Sequence, residues 1–521
     1  MRVAALLPCL FVLPAHAQDD YRARYGHADM EISCGVQARD AFTRGLLQLH
    51  SFAWQISRAS FEQAVSIDPN CAIAYWGVAM SYYDGLHEHP SVDEVAAART
   101  ALASAGTATT KTAREVAYIE AAAEIYRGYP DVERVDRDLN YSLAMKKIVD
   151  AYPDDQEARI FHALSLLALA RRGEDEALVM QAAQLLEPLF AELPEHPGVA
   201  HYLIHAYDDA GDREPGIAAA QRYAGIAPLM THAQHMPSHI FAGLGMWADS
   251  NASNATALEV NPRYYHSLMY LVYGHLQLGQ WQEAQRLVTE LEAFADSPQG
   301  GRQELRGLHL TNTWLLLETR DWAAAATAPA YSDRPLEFAE TLYVRGLGSA
   351  RTGALDAAAE AARSLTSLLN NLDTVTDPDL LMRAQLIRIQ INQIQAFIAL
   401  ANDRADEAVA IMQSAIDIED GPGINRAPPD SGTGLPAHEV FGEILLQLER
   451  YDEARQQFER ALQRTPNRLH SMLGLARSAA KSGDAQAAGE HYRKLLEMLA
   501  NADAGSNIVA EANDYLGQHQ Q

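Results

Sequence analysis

Cysteine residues and basic residues are scarce in this chain of 521 residues. It contains 3 cysteines, and 41 Lys and Arg stand against 68 Asp and Glu, which gives a net charge of −27. No Lys- or Arg-rich run stands out, and this argues against nucleic acid and anionic membrane surfaces as partners. Beyond the N-terminus no segment is long and apolar enough for a transmembrane helix. We therefore expect no nucleic-acid partner and no membrane insertion of the mature chain.

The N-terminus has the features of an export signal. Arg2 supplies a positive charge, residues 3–14 form a short apolar stretch, and Ala15-His16-Ala17 is a small-x-small cleavage site. This order is typical of a secretory signal peptide. We predict a signal peptide over residues 1–17 and a mature protein that is periplasmic or secreted.

Several residue types recur at a spacing of 34 in the centre of the chain. The recurring pairs are Pro228 and Pro262, Gly245 and Gly279, and Trp247 and Trp281. Thirty-four residues is the length of a tetratricopeptide repeat, a two-helix hairpin that stacks into a solenoid. Helical periodicity covers nearly all of the mature chain, and no strand pattern is present. We predict an all-α tetratricopeptide-repeat α-solenoid, a right-handed superhelix of about a dozen helical hairpins.

The C-terminal part carries the clearest single repeat. Its small, large and helix-ending positions are occupied by Gly442, Ala454, Phe458, Ala461 and Pro466. A loop rich in Gly and Pro, 419–436, precedes it, and a loop of that length is uncommon unless it covers something or is disordered. We predict a main solenoid over 18–371 and C-terminal repeats over 379–521, which either continue the solenoid or form a second small domain.

Two cysteines, Cys34 and Cys71, remain after the predicted cleavage. Each precedes the first helix of a predicted hairpin, so both lie at the same end of adjacent hairpins. An exported compartment permits a disulfide, which would stabilise this end of the solenoid by about 2–4 kcal/mol. Two buried free thiols are the alternative, but the compartment and the pairing favour the disulfide.

Several longer segments resemble a known family. They are HYLIHAYDD, HMPSHIFAGLGMW, HSLMYLVYGHLQLG, RGLLQLHSFAW, DPNCAIAYWGVAMSYY and LPAHEVFGEILLQLERYDEA. These segments resemble exported bacterial tetratricopeptide-repeat proteins, a widespread set that is largely without assigned function. The resemblance covers most of the mature chain. It implies the fold and an exported location, and it brings no established reaction.

Two histidine pairs recur in register with the repeat. His201 and His205 lie in HYLIH, and His235 and His239 follow 34 residues later in HMPSH. Both pairs occupy positions 5 and 9 of neighbouring first helices, on one stripe that faces the concave side of a superhelix. Helices packed at about 8–10 Å bring such side chains within reach of a shared ion. We predict a metal site with these four histidines as ligands.

Other polar residues extend this histidine stripe. Asp208, His232 and His266 fall on it, Asp209 follows Asp208, and Tyr273 is an aromatic candidate for the groove lining. Imidazole suits zinc, copper and iron, and either aspartate could ligate the ion or accept a hydrogen bond from a ligating imidazole.

Proline interrupts the second histidine-bearing helix. Pro237 lies between His235 and His239, where it removes a backbone hydrogen bond and bends the helix. The bend could tilt the two histidines relative to one another and so shape a site.

Three functions fit these features, and one of them is a purely structural assembly factor of the cell envelope. The first is an exported scaffold that binds a protein or peptide in its concave groove through His232, His266, Asp208, Asp209 and Tyr273. The second is a metalloprotein, or a hydrolase-like enzyme, that holds a divalent transition metal on the four paired histidines. No HExxH motif and no GxSxG elbow occurs, so no catalytic residue is assigned. Without a metal, the same pocket would bind polar groups of a peptide.

Overall fold

The structure is a computed structural model. It describes residues 21–86, 90–170, 175–209, 212–297, 301–331, 334–370, 378–421, 429 and 434–519, except for the side chains of residues 209, 378 and 379. The predicted signal peptide, 1–17, and most of the loop 419–436 lie outside the described residues. Within these ranges there is one isolated β-bridge, Cys71 to Thr110, and no strand.

α-Helices make up most of the described chain. The first fourteen are α1 (Arg22–Tyr25), α2 (Val36–His50), α3 (Trp54–Ile67), α4 (Ala72–Met80), α5 (Val92–Thr107), α6 (Ala113–Tyr126), α7 (Arg134–Ala151), α8 (Gln156–Leu169), α9 (Glu176–Glu192), α10 (Pro197–Asp209), α11 (Ile217–Ile226), α12 (Thr231–His235), α13 (Pro237–Gly243) and α14 (Trp247–Val260). The others are α15 (Tyr265–Gln277), α16 (Trp281–Ala295), α17 (Arg302–Glu318), α18 (Trp322–Ala326), α19 (Pro335–Arg351), α20 (Leu355–Asn370), α21 (Pro378–Ala401), α22 (Ala405–Glu419), α23 (Ala437–Gln447), α24 (Tyr451–Arg464), α25 (Leu469–Ser482), α26 (Ala485–Met498) and α27 (Asn507–Gln518). None of these helices is long and apolar enough to cross a membrane.

The helices pair into hairpins, and each hairpin packs on the next. Twelve pairs run through the described chain from α2 and α3 to α25 and α26, and α27 follows the last of them. In the sixth pair the first helix consists of α12 and α13 together. The prediction of an all-α solenoid of about a dozen hairpins is therefore confirmed.

The same packing unit recurs near both ends of the array. A Cβ atom added to Gly77 of α4 would lie 2.3 Å from the ring of Phe61 in α3. One added to Gly474 of α25 would lie 2.3 Å from the ring of Phe458 in α24. Both phenylalanines are fully buried. Because a larger residue would push the helices apart, the small residue at this repeat position sets the spacing of neighbouring hairpins.

A disulfide joins Cys34 and Cys71, as the sequence predicted, with their Cα atoms 4.9 Å apart. Cys34 lies just before α2, and Cys71 immediately precedes α4. The bond therefore ties together the first helices of two adjacent hairpins. It helps to hold the hairpin of α2 and α3 in place.

The C-terminal hairpins also pack against the centre of the array. Trp247 at the start of α14 donates its indole N–H to the carbonyl of Asn467 at 2.8 Å. Gln280 donates to the carbonyl of Asn501 at 3.1 Å. A Cβ atom on Gly245 would lie 2.1 Å from the carbonyl oxygen of Pro466. Residues 437–518 therefore contact the central hairpins as well as their neighbours in sequence.

Arg468 is fully buried at this junction. Its guanidinium lies 2.7 Å from Glu318 and 2.7 Å from Glu439, and it donates to the hydroxyl of Tyr273. Glu439 accepts a further hydrogen bond from Arg320 at 2.8 Å. Burial alone would raise the pKa of Glu439, but Arg468 and Arg320 lower it below its ordinary value. The junction is thus held by an ionised network in which Arg468, Glu318 and Glu439 are closed to solvent.

Candidate functional site

The predicted histidine stripe lies on four helices near the middle of the chain. Its members are His201 and His205 on α10, His232 and His235 on α12, His239 on α13 and His266 on α15. Pro237 is the first residue of α13. Proline lacks the N–H that would continue the helix, so the predicted bend is a break between two short helices.

The first cluster consists of His201, His205 and His232. The Nε2 atom of His201 lies 2.9 Å from Nε2 of His232 and 3.1 Å from Nε2 of His205. His201 is fully buried, and the other two rings are partly exposed. Three imidazole nitrogens therefore converge on one point between α10 and α12.

The second cluster consists of His235, His239 and His266. The Nε2 atoms of His235 and His239 lie 3.0 Å apart, and the rings of His235 and His266 have centroids 4.6 Å apart. Each cluster offers ligand atoms that all lie within 4.8 Å of one another.

The two clusters are neighbours, since the ring centroids of His232 and His235 are 6.3 Å apart. The repeat spacing predicted His201, His205, His235 and His239 around one ion. The structure instead divides them between the two clusters and adds one further histidine to each. The histidines divide into two clusters because the two histidines of α12 contact different helices. His232 contacts α10, whereas His235 contacts α13.

In the second cluster, the outer nitrogens of two rings have acceptors as partners. His235 donates from Nδ1 to Oδ1 of Asn254 at 2.7 Å. The amide nitrogen of Asn254 donates to the carbonyl of Ser250 at 2.8 Å, which turns its oxygen toward His235. His239 Nδ1 lies 3.1 Å from Oδ2 of Asp208, a carboxylate that accepts its hydrogen bond. The hydroxyl of Tyr270 also lies 3.1 Å from Nδ1 of His239. Because Asn254 Oδ1 and Asp208 Oδ2 can only accept, we assign the proton of both rings to Nδ1, which directs the lone pair of Nε2 into the cluster.

The first cluster has comparable outer contacts. His201 donates from Nδ1 to the backbone carbonyl of His50 at 2.6 Å, which also leaves its Nε2 with a lone pair. Nδ1 of His232 lies 3.1 Å from the hydroxyl of Tyr264. Such partners behind the ring orient a metal-binding imidazole and fix its tautomer.

Burial keeps the central ring of the second cluster neutral. His235 is fully buried, and this burial lowers its pKa well below the ordinary value. The nearby rings of His266 and His239 lower the pKa further. Tyr270 packs edge-on against His235, with ring centroids 5.1 Å apart. His235 is therefore a neutral imidazole, the form that binds a metal ion.

Phe52 covers the first cluster. Its ring centroid lies 4.4 Å from that of His201, 5.7 Å from that of His205 and 5.5 Å from that of His232. Its backbone has a φ of 52°, a left-handed conformation that costs a bulky residue energy and is often found at functional sites. The stripe was expected on an open concave face. Since the hairpin of α2 and α3 lies over it, the site is instead largely closed.

A third group of possible ligands lies behind the first cluster. It consists of His50, Glu157 and His196, whose ligand atoms also lie within 4.8 Å of one another. All three side chains are buried. A carboxylate thus takes the place that a third histidine has in each of the two clusters.

Two predicted groove residues do not join the clusters. Tyr273 lies in the core, with its ring centroid 5.7 Å from that of Trp247 and 5.5 Å from that of Trp314. Its assignment to the ligand-binding groove is corrected, because its ring is buried and its hydroxyl accepts from Arg468 of the C-terminal hairpins. The side chain of Asp209 lies outside the described residues.

The residues that support the rings carry no repeat signal in the sequence. Asn254, Tyr264 and Phe52 belong to this group, and none of them recurs at the 34-residue spacing. Tyr270 is a partial exception, since it lies one turn after His266 on α15. A residue that hydrogen-bonds to a cluster histidine or packs against its ring leaves no periodic signal in the sequence. Only the packed structure therefore identifies such a residue.

Comparison with known proteins bears on the fold. Residues 435–468 match the family described as tetratricopeptide repeat. One similar solved structure is the crystal structure of the P58(IPK) TPR domain, with 15% identity and a TM-score of 0.21, in a match that covers 87% of this chain and 99% of that chain. No curated protein matches the chain. The matched segment spans α23 and α24, which form one of the twelve hairpins of the all-α solenoid in the described chain.

Proposed function

We propose that this protein binds two transition-metal ions, one in each three-histidine cluster. The observation that supports this most directly is the contact between His235 and His239. Both Nε2 atoms carry lone pairs, since both Nδ1 atoms donate to acceptors, and the two Nε2 atoms lie 3.0 Å apart. Two lone pairs at that distance repel one another unless a cation lies between them.

The spacing of the nitrogens also suits a metal. Zinc–imidazole bonds of about 2.0–2.1 Å in tetrahedral geometry place two ligand nitrogens roughly 3.3 Å apart. The Nε2 pairs in the clusters lie 2.9, 3.0 and 3.1 Å apart. Ligand sets of imidazole suit zinc, copper and iron. Three protein ligands leave a further position open, and a metal-activated water there is the chemistry on which a hydrolase-like activity would depend.

Elemental analysis tests this proposal. Protein that is exported in cells grown with trace metals, and purified without a chelator, is expected to carry about two transition-metal ions per chain, since each cluster presents three ligands. Dialysis against a strong chelator should remove them, and readdition should restore them. Less than about a tenth of an equivalent per chain before dialysis would contradict the proposal.

We propose an oxidising compartment, periplasmic or secreted, as the site of action. The buried disulfide between Cys34 and Cys71 supports it, because disulfides persist mainly outside the reducing cytosol. Such a compartment is also consistent with the proposed signal peptide, residues 1–17.

Tetratricopeptide-repeat solenoids present extended concave surfaces that generally bind proteins. We propose that a protein or peptide partner binds in a cavity of about 950 Å³ between the central and C-terminal hairpins. Its lining includes Trp281, Arg320, Trp322, Arg351 and Glu443. Tryptophan and arginine are the residues most often found at the energetic centre of interfaces, and this cavity lies apart from the histidine clusters.

Replacing Trp322 by Ala tests the partner site. The guanidinium carbons of Arg320 and Arg351 lie 5.4 and 4.9 Å from the Trp322 ring centroid, so the ring organises the charged lining. We expect a partner crosslinked to the exported wild-type protein to be lost from this variant. Phe190→Ala, which removes a ring packed on Arg222 elsewhere, should retain it. Equal recovery with both variants would exclude this cavity.

A further inference from the structure

The third histidine group looks like a metal site by composition but differs in its hydrogen bonds. Glu157 lies between two histidines, with Oε2 at 2.9 Å from Nε2 of His50 and Oε1 at 2.9 Å from Nε2 of His196. The exposed fractions are 0% for His50, 3% for Glu157 and 2% for His196. The group joins the end of α2, the start of α8 and the residue just before α10.

Each nitrogen of the two rings already has a partner of the right kind. The backbone N–H of Val199 donates to Nδ1 of His196 at 3.3 Å, so Nε2 of His196 carries the proton that Glu157 accepts. The Tyr202 hydroxyl lies 3.0 Å from Nδ1 of His50, and Nε2 of His50 donates to the other carboxylate oxygen. One carboxylate and two neutral imidazoles therefore satisfy one another with no cation.

The charge states agree with this assignment. Burial would raise the pKa of Glu157, but His50 and His196 together lower it below its ordinary value. Glu157 is therefore ionised and accepts both hydrogen bonds.

This group is connected to the first cluster through the backbone. His50 is the last residue of α2, so its carbonyl has no partner within the helix, and it accepts the hydrogen bond from Nδ1 of His201 at 2.6 Å. The ring of Phe161 stacks on His50 at 4.9 Å. A Cβ atom on Gly198 would lie 2.4 Å from Nδ1 of His50. A shift of His50 would therefore move the group that orients His201.

We propose that Glu157 is a positioning residue for the metal ion of the first cluster, acting through His50 on the orientation of His201, and that the Glu157 group itself holds no metal. This inference rests on the proposed binding of one ion in each cluster. In the second cluster, the outer partners of His235 and His239 are instead Asn254 and Asp208. The effect of Glu157 should therefore be confined to one of the two ions.

The test is a zinc titration of the metal-free full chain and of Glu157→Gln, followed by calorimetry with a competing chelator. A glutamine cannot accept from both histidines, since one of its two terminal atoms is a donor. We expect one of the two dissociation constants to rise at least about tenfold, as is typical for loss of a group behind a metal ligand. The other constant should change less than about twofold.

Glu340→Gln provides the matched control. Glu340 accepts from the buried ring of His309 at 2.8 Å, an equivalent pair with no link to the clusters, so both dissociation constants should be unchanged. Tyr202→Phe, which removes only the hydroxyl bonded to His50, should weaken the same ion as Glu157→Gln by a smaller factor. It also keeps the test decisive if Glu157→Gln loses its helical circular dichroism.

The outcomes are distinct. Equal weakening of both ions, or of neither, would overturn the positioning role. Three ions on the wild-type chain and two on Glu157→Gln would show that Glu157 is itself a ligand, which also overturns it. A wild-type chain that binds no ion would instead refute the proposed function, on which this inference rests.

Discussion

His205→Ala combined with His239→Ala is expected to lower the metal content from about two ions per chain to almost none. Each substitution removes one nitrogen from a different cluster, because Nε2 of His205 faces His201 and Nε2 of His239 faces His235. Two remaining histidines do not make a complete site, and the affinity for each ion should fall at least about 100-fold, beyond the loss typical of an outer partner. Elemental analysis after desalting measures the content directly.

The single variants sharpen this expectation. His205→Ala alone and His239→Ala alone should each retain about one ion, since each leaves one cluster whole. His309→Ala is the control, because it removes a buried histidine that bonds Glu340 outside the clusters and should retain both ions. Two ions retained by the double variant, with its helical circular dichroism intact, would show that the metal is held elsewhere.

Burial favours a metal over a peptide in these clusters. His201 and His235 are fully buried, and Phe52 packs against all three rings of the first cluster. A peptide would have to displace the hairpin of α2 and α3, which the disulfide holds to its neighbour. An ion needs only the space between the nitrogens. The protein-binding role therefore fits the separate cavity near Trp322 better than the histidine stripe.

Much of the fold could be predicted because its signals repeat along the sequence. Small residues such as Gly77 and Gly474 are required where a helix approaches a buried phenylalanine, and this requirement recurs near both ends of the array. The histidine pairs could be predicted for the same reason, since stacking brings equal positions of successive repeats together. Periodicity thus located the stripe on α10, α12 and α13 before any packing was known.

The division into two clusters and the closure of the site could not be predicted in this way. The break at Pro237 sets how His239 on α13 is turned relative to His235 on α12, and this angle depends on tertiary packing. Closure comes from Phe52, which lies about 150 positions before His201 in the sequence. Tyr273 was misplaced because the C-terminal hairpin brings Arg468 to its hydroxyl, a contact between distant parts of the chain.

Arg468→Met is expected to lower the free energy of unfolding by about 3–5 kcal/mol, the cost of removing one partner from a buried ion network. The side chain of Arg468 is fully buried between Glu318 and Glu439, at 2.7 Å from each, and methionine would leave two carboxylates without this cation. The loss is large because the buried Glu318 would lose its ion pair, and Glu439 would keep only the one to Arg320. Urea unfolding followed by circular dichroism should show a correspondingly lower midpoint.

A second Arg–Glu pair separates the effect of burial on stability from the effect of the ion pair itself. Arg477 bonds Glu511 at 2.6 Å, but their side chains are 47% and 32% exposed, so Arg477→Met should cost less than about 1 kcal/mol. Adding Glu318→Gln to Arg468→Met should recover part of the loss, since it removes the buried charge whose ion pair Arg468 supplied. If both arginine variants lost the same stability, or if the second substitution made the first worse, desolvated charge would not be the cause. The difference in unfolding free energy between Arg468→Met and Arg477→Met therefore measures how strongly the junction of central and C-terminal hairpins depends on a buried cation.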